Sequence, residues 1–149
     1  MKIYIASDHR GINETKELTK YLNSLGYEVK NTNIINHEVD DYPDFAIDVC
    51  KNMSEDDLGI LICGNGIGMS IMANKVKGIR AARCVSSVDA VNARKHNSAN
   101  CLTLGTDLSL DLLKEIAVTF ITTEPSTEEK YVRRTEKIIN YELGEYNGL

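Results

Sequence analysis

Leu58-Gly59-Ile60-Leu61-Ile62-Cys63-Gly64-Asn65-Gly66-Ile67-Gly68-Met69-Ser70 runs from an apolar stretch straight into a glycine turn. The apolar part has the length and continuity of a buried parallel strand. The glycines then open a helix, so the strand ends on a thiol that stands beside a row of backbone N–H groups. A base or nucleophile next to such donors is the arrangement that enolate chemistry on a small anionic substrate requires.

Working outward from this junction, strand and helix patterns alternate along the chain. Lys2–Ala6 reads as a strand that ends at Ser7-Asp8-His9-Arg10-Gly11. Asn13–Leu25 carries Leu18, Leu22 and Leu25 at helical spacing, with Gly26 as its stop. Tyr27–Asn31 is a second strand, Thr32–Tyr42 a polar loop holding a solvated His37, and Pro43 opens a helix to about Met53. After the third strand, Leu58–Cys63, come a helix over Gly66–Val76 and a fourth strand over Ile79–Val85. A helix over Val88–His96, a fifth strand at Cys101–Leu104 and a helix from Ser109 to Ile121 follow. Glu124-Pro125-Ser126 breaks the chain before a charged helix from Thr127 to Tyr146.

Five strands separated by helices predict one α/β domain over residues 1–149, a three-layer α/β/α Rossmann-like fold with a five-stranded parallel sheet. The common strand order 2-1-3-4-5 is expected, with the C-terminal helix as an addition. That order makes the first and third strands neighbours. Asp8, His9 and Cys63 then meet at the carboxyl edge of the sheet, where ligands of such folds bind, and the loop position read for His96 brings it near the same crevice. The last helix is either a solvated cover for the sheet or an arm that carries cations to a partner subunit. Its Tyr131, Ile138, Ile139 and Tyr141 form no clean stripe.

Composition narrows the function classes. The chain has 149 residues and a net charge of −5, which argues against nucleic acid as a partner. No apolar run approaches the roughly 18 residues of a membrane span, and the N-terminus is too short for a secretory signal, so a cytoplasmic protein is expected. Cys50, Cys63, Cys84 and Cys101 form no C-x-x-C pair and match no zinc spacing. No zinc–thiolate site is therefore expected from the cysteines, and no cofactor is expected. Cys50, Cys84 and Cys101 read as small buried hydrophobes. Cys63, beside a helix start, is expected to have a lowered thiol pKa.

Gly64-Asn65-Gly66-Ile67-Gly68 is G-x-G-x-G after the third strand, neither the dinucleotide fingerprint nor a P-loop. A nucleotide or signalling module is thus disfavoured. The alternatives for the loop are a bare structural turn and a cradle for an anion such as an enediolate. His9 follows an acid, and His96 stands in Lys95-His96-Asn97, so both are candidates for chemistry.

These motifs together resemble the ribose-5-phosphate isomerase B family, which includes the galactose-6-phosphate isomerase subunits. The matching pieces are Ser7-Asp8-His9, Asp41-Tyr42-Pro43 and the block Gly59–Gly105, with Ile62–Ile71, Ala73-Asn74-Lys75, Gly78-Ile79-Arg80-Ala81 and His96-Asn97 inside it. The resemblance implies a metal-free aldose–ketose isomerase of sugar phosphates in carbohydrate metabolism. It also implies a homodimer or homotetramer with shared active sites. By resemblance, Cys63 is the proton-abstracting base and His96 helps to open the sugar ring, with Asp8 nearby. Gly64, Asn65, Gly66, Ile67, Gly68 and Ser70 belong to the loop that holds the enediolate. Asp8, His9 and Asn97 match substrate contacts, and Lys130 and Arg134 match phosphate-binding positions.

Some positions depart from the family pattern. Asn65 replaces the common threonine, Asp107 an arginine, and Glu128-Glu129-Lys130-Tyr131 a Gly-Gly-Arg-His run. Lys130 keeps a charge but lacks the guanidinium fork. An aspartate facing a phosphate repels it, so Arg10 or Arg83 is a candidate to supply the missing charge. Ribose 5-phosphate is the leading substrate. A six-carbon or less charged sugar, or a non-catalytic sugar-phosphate-binding subunit, is the alternative.

Overall fold

The structure, a computed structural model, describes residues 1–33 and 40–148. His37 and most of the expected polar loop lie outside the described residues. The strands are β1 (Ile3–Ser7), β2 (Val29–Asn31), β3 (Leu58–Cys63), β4 (Ala81–Arg83) and β5 (Cys101–Gly105). The helices are α1 (Ile12–Ser24), α2 (Tyr42–Asn52), α3 (Ile67–Ala73), α4 (Ser87–Asn97), α5 (Leu110–Thr122) and α6 (Glu129–Glu142). A single 3-10 turn, His9–Gly11, joins β1 to α1.

Local chemistry explains the helix starts. Pro43 sits in the first turn of α2, where its missing N–H costs nothing. The Ser86 hydroxyl accepts the Asp89 N–H at 3.2 Å to cap α4, and Ser109 does the same for Leu112 in α5 at 3.2 Å.

All strand pairs are parallel, and β1 lies beside β3 as expected. The order is β2-β1-β3-β5-β4, which corrects the expected 2-1-3-4-5. Burial gives the reason. Cys101–Gly105 is buried at every residue, so it takes the interior place beside β3. Ala81-Ala82-Arg83 is short, only partly buried and ends on an exposed arginine, which suits an edge.

The alternation of side chains along the sheet divides the core in two. Ile60 and Ile62 join Ile3, Ile5, Leu18, Leu22, Leu104, Leu113, Ile116 and Phe120 on the face covered by α1, α4 and α5. Leu61 and Cys63 join Phe45, Val49, Met69 and Ala73 on the face covered by α2 and α3. Cys63 therefore points toward the helix that its own loop begins. α6 lies outside both layers against α4 and has no buried residue. It leaves Val132, Ile138, Ile139, Tyr141 and Leu143 exposed. No helix among the described residues is long and apolar enough to cross a membrane.

Candidate active site

The carboxyl edges of β1, β3 and β5 are held in register, with Ser7 opposite Ile62 and Cys63 opposite Gly105. The chain leaves β1 with the Asp8 N–H donating to the Ile62 carbonyl at 3.3 Å, which sets Asp8 next to the end of β3. The Asp8 carboxylate accepts the Arg10 N–H at 2.9 Å and so starts the 3-10 turn. The His9 N–H donates to the Asp40 carboxylate at 3.1 Å, and its Nδ1 stands 3.5 Å from the other oxygen.

The glycine loop folds back over the thiol. Gly66 adopts φ +77°, open to glycine and strained for other residues. In that conformation its N–H donates to the Cys63 Sγ at 3.2 Å. The Asn65 side-chain oxygen accepts the Ile67 N–H at 3.0 Å, while the Asn65 carbonyl accepts from the Arg83 Nε at 2.7 Å. The strand end is pinned as well. The Cys63 carbonyl accepts the Thr106 N–H at 3.0 Å, and the Gly64 carbonyl accepts the Asp107 N–H at 3.3 Å.

A cavity of about 380 Å³ opens over this junction. Cys63, Gly64, Asn65 and Gly68 form one side of it, and Asp8, His9, Arg10, Asp41 and Tyr42 the other. Asp8, His9 and Cys63 thus converge as the strand reading implied. Asp41 and Tyr42, present in the sequence motif but given no role there, also line the cavity. Ile67 and Ser70 lie in the first turn of α3 and do not border it, and the Ile67 side chain is exposed.

His96 and Asn97 are elsewhere in the chain, which corrects the expectation of a loop position near the crevice. They form the last turn of α4, just before Cys101 opens β5. Cys63 pairs instead with Gly105, at the far end of that strand. Five strand residues separate the two edges by about 13 Å. A helix that returns antiparallel to a parallel strand always ends on the opposite edge from the strand ends. His96 stacks on Tyr131 of α6, with ring centroids 4.4 Å apart and planes at 14°. Lys130 lies beside this stack, its ammonium 4.7 Å from the Tyr131 ring centroid and 3.7 Å from the Glu128 carboxylate. Arg134, one turn further along α6, is exposed. His96 and Lys130 thus both meet Tyr131, away from Cys63, with Asn97 next to His96 in the chain and Arg134 on the same helix as Lys130.

All four cysteines are free and buried, Cys63 included, and for Cys50, Cys84 and Cys101 burial is as expected. Burial, and then Asp89, push the Cys84 thiol up to about 12. Cys101 is raised by its hydrogen bond with Cys50 and by burial, while the same bond lowers Cys50.

Residues 3–138 match the ribose/galactose isomerase family. The chain belongs to that family. Among curated relatives, ribose-5-phosphate isomerase B of Escherichia coli is 40% identical over 118 residues, covering 77% of this chain and 79% of that protein. The solved structure of Clostridium thermocellum ribose-5-phosphate isomerase B superposes with a TM-score of 0.89 at 43% identity, over 97% of this chain and 99% of that one. The Mycoplasma genitalium ribose-5-phosphate isomerase B, solved with bound ribulose 5-phosphate, gives a TM-score of 0.88 at 37% identity, over 95% and 96% of the two chains. As a member of the ribose/galactose isomerase family the protein is an enzyme, an isomerase, and its three-layer fold is that of these structures.

Proposed function

We propose that the protein interconverts ribose 5-phosphate and ribulose 5-phosphate through a cis-enediolate, with Cys63 as the base. The observation that carries this reading is the Cys63 sulfur, set in a cavity beside Asp8 with the Gly66 N–H directed at it. A thiolate there takes the C2 proton of the open-chain aldose and returns it to C1, while a proton leaves O2 and one is gained at O1. Negative charge moves onto the substrate oxygens in the intermediate, and N–H groups of the Gly64–Ser70 loop other than those of Gly66, Ile67 and Ser70, which already have acceptors, are the donors that meet it. Asp8, His9, Asn65 and Asn97 orient the sugar hydroxyls. The reaction moves two protons and needs no external oxidant.

The active unit is a dimer in which each site is completed from two chains. Support comes from the separation described above, because His96, Asn97, Lys130 and Arg134 occupy the opposite sheet edge from Cys63. His96 of one chain acts in ring opening over the Cys63 of the other, and Lys130 and Arg134 supply charge for the phosphate. The exposed apolar residues on α6 suit burial against a second copy.

Replacing Cys63 by alanine tests the base directly. Turnover of ribose 5-phosphate by the wild type should fall by roughly 10³-fold or more in the variant. Full activity in Cys63→Ala would remove the cysteine from the mechanism.

A second reading has one observation behind it. Asp107 follows β5 with its Oδ1 packed against Gly105, close to the Asn65 backbone. A carboxylate at that place favours a less charged or six-carbon sugar. A panel of phosphorylated and free five- and six-carbon aldoses decides between the two, and a clear preference for ribose 5-phosphate eliminates this reading.

A further inference from the structure

The Cys63 cavity is rich in carboxylates, with Asp8, Asp40 and Asp41 on its walls. Two of these are committed, Asp8 to the Arg10 N–H and Asp40 to His9. Arg10 is the arginine among the cavity's described lining residues. Its backbone is fixed by Asp8, yet its guanidinium makes no hydrogen bond or ion pair with the described residues. The head group lies over Gly64, the residue that follows the proposed base. A methyl group on Gly64 would collide with the Arg10 Nη1 and stand 3.2 Å from its Cδ. The absence of a side chain at 64 is what lets the guanidinium rest there. Other cations are placed differently. The Arg83 Nε is bonded to the Asn65 carbonyl, and Lys130 and Arg134 lie at the other sheet edge.

We propose that Arg10 is this chain's own anchor for the phosphate of its sugar substrate, an assignment that rests on the isomerase reading above. An always-charged, planar fork with no partner among the described residues pairs bidentately with two phosphate oxygens. Its place beside Cys63 lets a short sugar chain held by its phosphate extend its reacting carbons over the sulfur. The same charge offsets the repulsion that Asp8 and Asp41 exert on an incoming dianion. Arg10 is exposed, so substitution there leaves the core intact.

Calorimetric titration of the full-length wild type, Arg10→Ala and Arg10→Lys with inorganic phosphate, ribose 5-phosphate and free ribose tests the assignment, alongside turnover of ribose 5-phosphate by the wild type. The Kd for both phosphate ligands should rise roughly tenfold or more in Arg10→Ala. Arg10→Lys should recover part of the loss, because charge returns without the fork. Affinity for free ribose should change less than about twofold, since a lost charge–phosphate contact leaves the sugar hydroxyls untouched. Unchanged phosphate affinity in Arg10→Ala overturns the proposal. So does an equal loss for free ribose, which would assign Arg10 to the reacting end. A wild type that binds phosphate through Arg10 without turning over ribose 5-phosphate would fail the isomerase reading and leave the anchor standing.

Discussion

The Gly66 N–H donates across 3.2 Å to the sulfur of Cys63, three residues back along the chain. The contact exists because Gly66 takes a positive φ that bends the loop back over the strand end. A side chain at 66 would be strained there and would also stand 3.0 Å from the Leu104 carbonyl carbon. Gly66→Ala should therefore lower stability by about 1–3 kcal/mol. It should also lower kcat by roughly 10²-fold through displacement of the loop. Thermal melts and steady-state kinetics check both. A variant with wild-type kcat would show that the loop geometry is not needed for turnover.

Composite sites make a distinctive prediction for mixed subunits. Cys63→Ala and His96→Ala proteins should each be nearly inactive alone. After unfolding and refolding together, about half of the dimers are mixed, and each mixed dimer has one site with both residues intact. Activity should recover to about a quarter of wild type. If the mixture stays as inactive as its parents, Cys63 and His96 do not act in a site shared between chains.

Native thiols should differ sharply in alkylation. Cys63 borders an open cavity, so iodoacetamide should label it and abolish turnover, and inorganic phosphate should slow that labelling. Cys84, raised to about 12 by burial, and the fully buried Cys101, raised by Cys50 and burial, should stay unlabelled until the protein is denatured. Peptide mass mapping reads this out. Rapid labelling of Cys84 in the folded enzyme would contradict its burial.

Asp57 links acid stability to the start of two strands. Burial alone would raise its carboxyl, but hydrogen bonds from the Ser54 and Lys2 N–H groups, both at 2.8 Å, lower it below the ordinary value of 3.8. A carboxyl whose folded pKa lies below its unfolded one binds fewer protons when folded. Its contribution is present above the unfolded pKa and is lost as pH falls through the folded pKa. Asp57→Asn should be less stable than wild type at pH 7, and the gap should close below about pH 4. Urea melts at pH 7 and pH 3 test this, and an equal gap at both would exclude the ionised carboxylate as the cause.

Much of the architecture was legible locally. Leu58–Cys63 is apolar without interruption, and Ser7-Asp8-His9 follows a short apolar run, so two neighbouring strand ends and their polar residues could be read from the chain. Boundaries shifted where local pattern is weak. α3 stops at Ala73 rather than Val76, and β4 keeps only Ala81–Arg83 of the longer expected stretch. β4 is an edge strand, and pairing on one side alone supports fewer residues.

By itself the sequence determined the alternation of strands and helices, the thiol at a strand end and the glycine turn behind it. Periodicity and turn chemistry are properties of neighbouring residues, so they can be read without knowing the fold. The tertiary structure alone decided that β5 rather than β4 lies against β3, that His96 ends on the far edge from Cys63, and that the Arg10 guanidinium lies over Gly64. Those outcomes depend on competition for burial among all five strands and on contacts between residues distant in the chain, which no local pattern encodes.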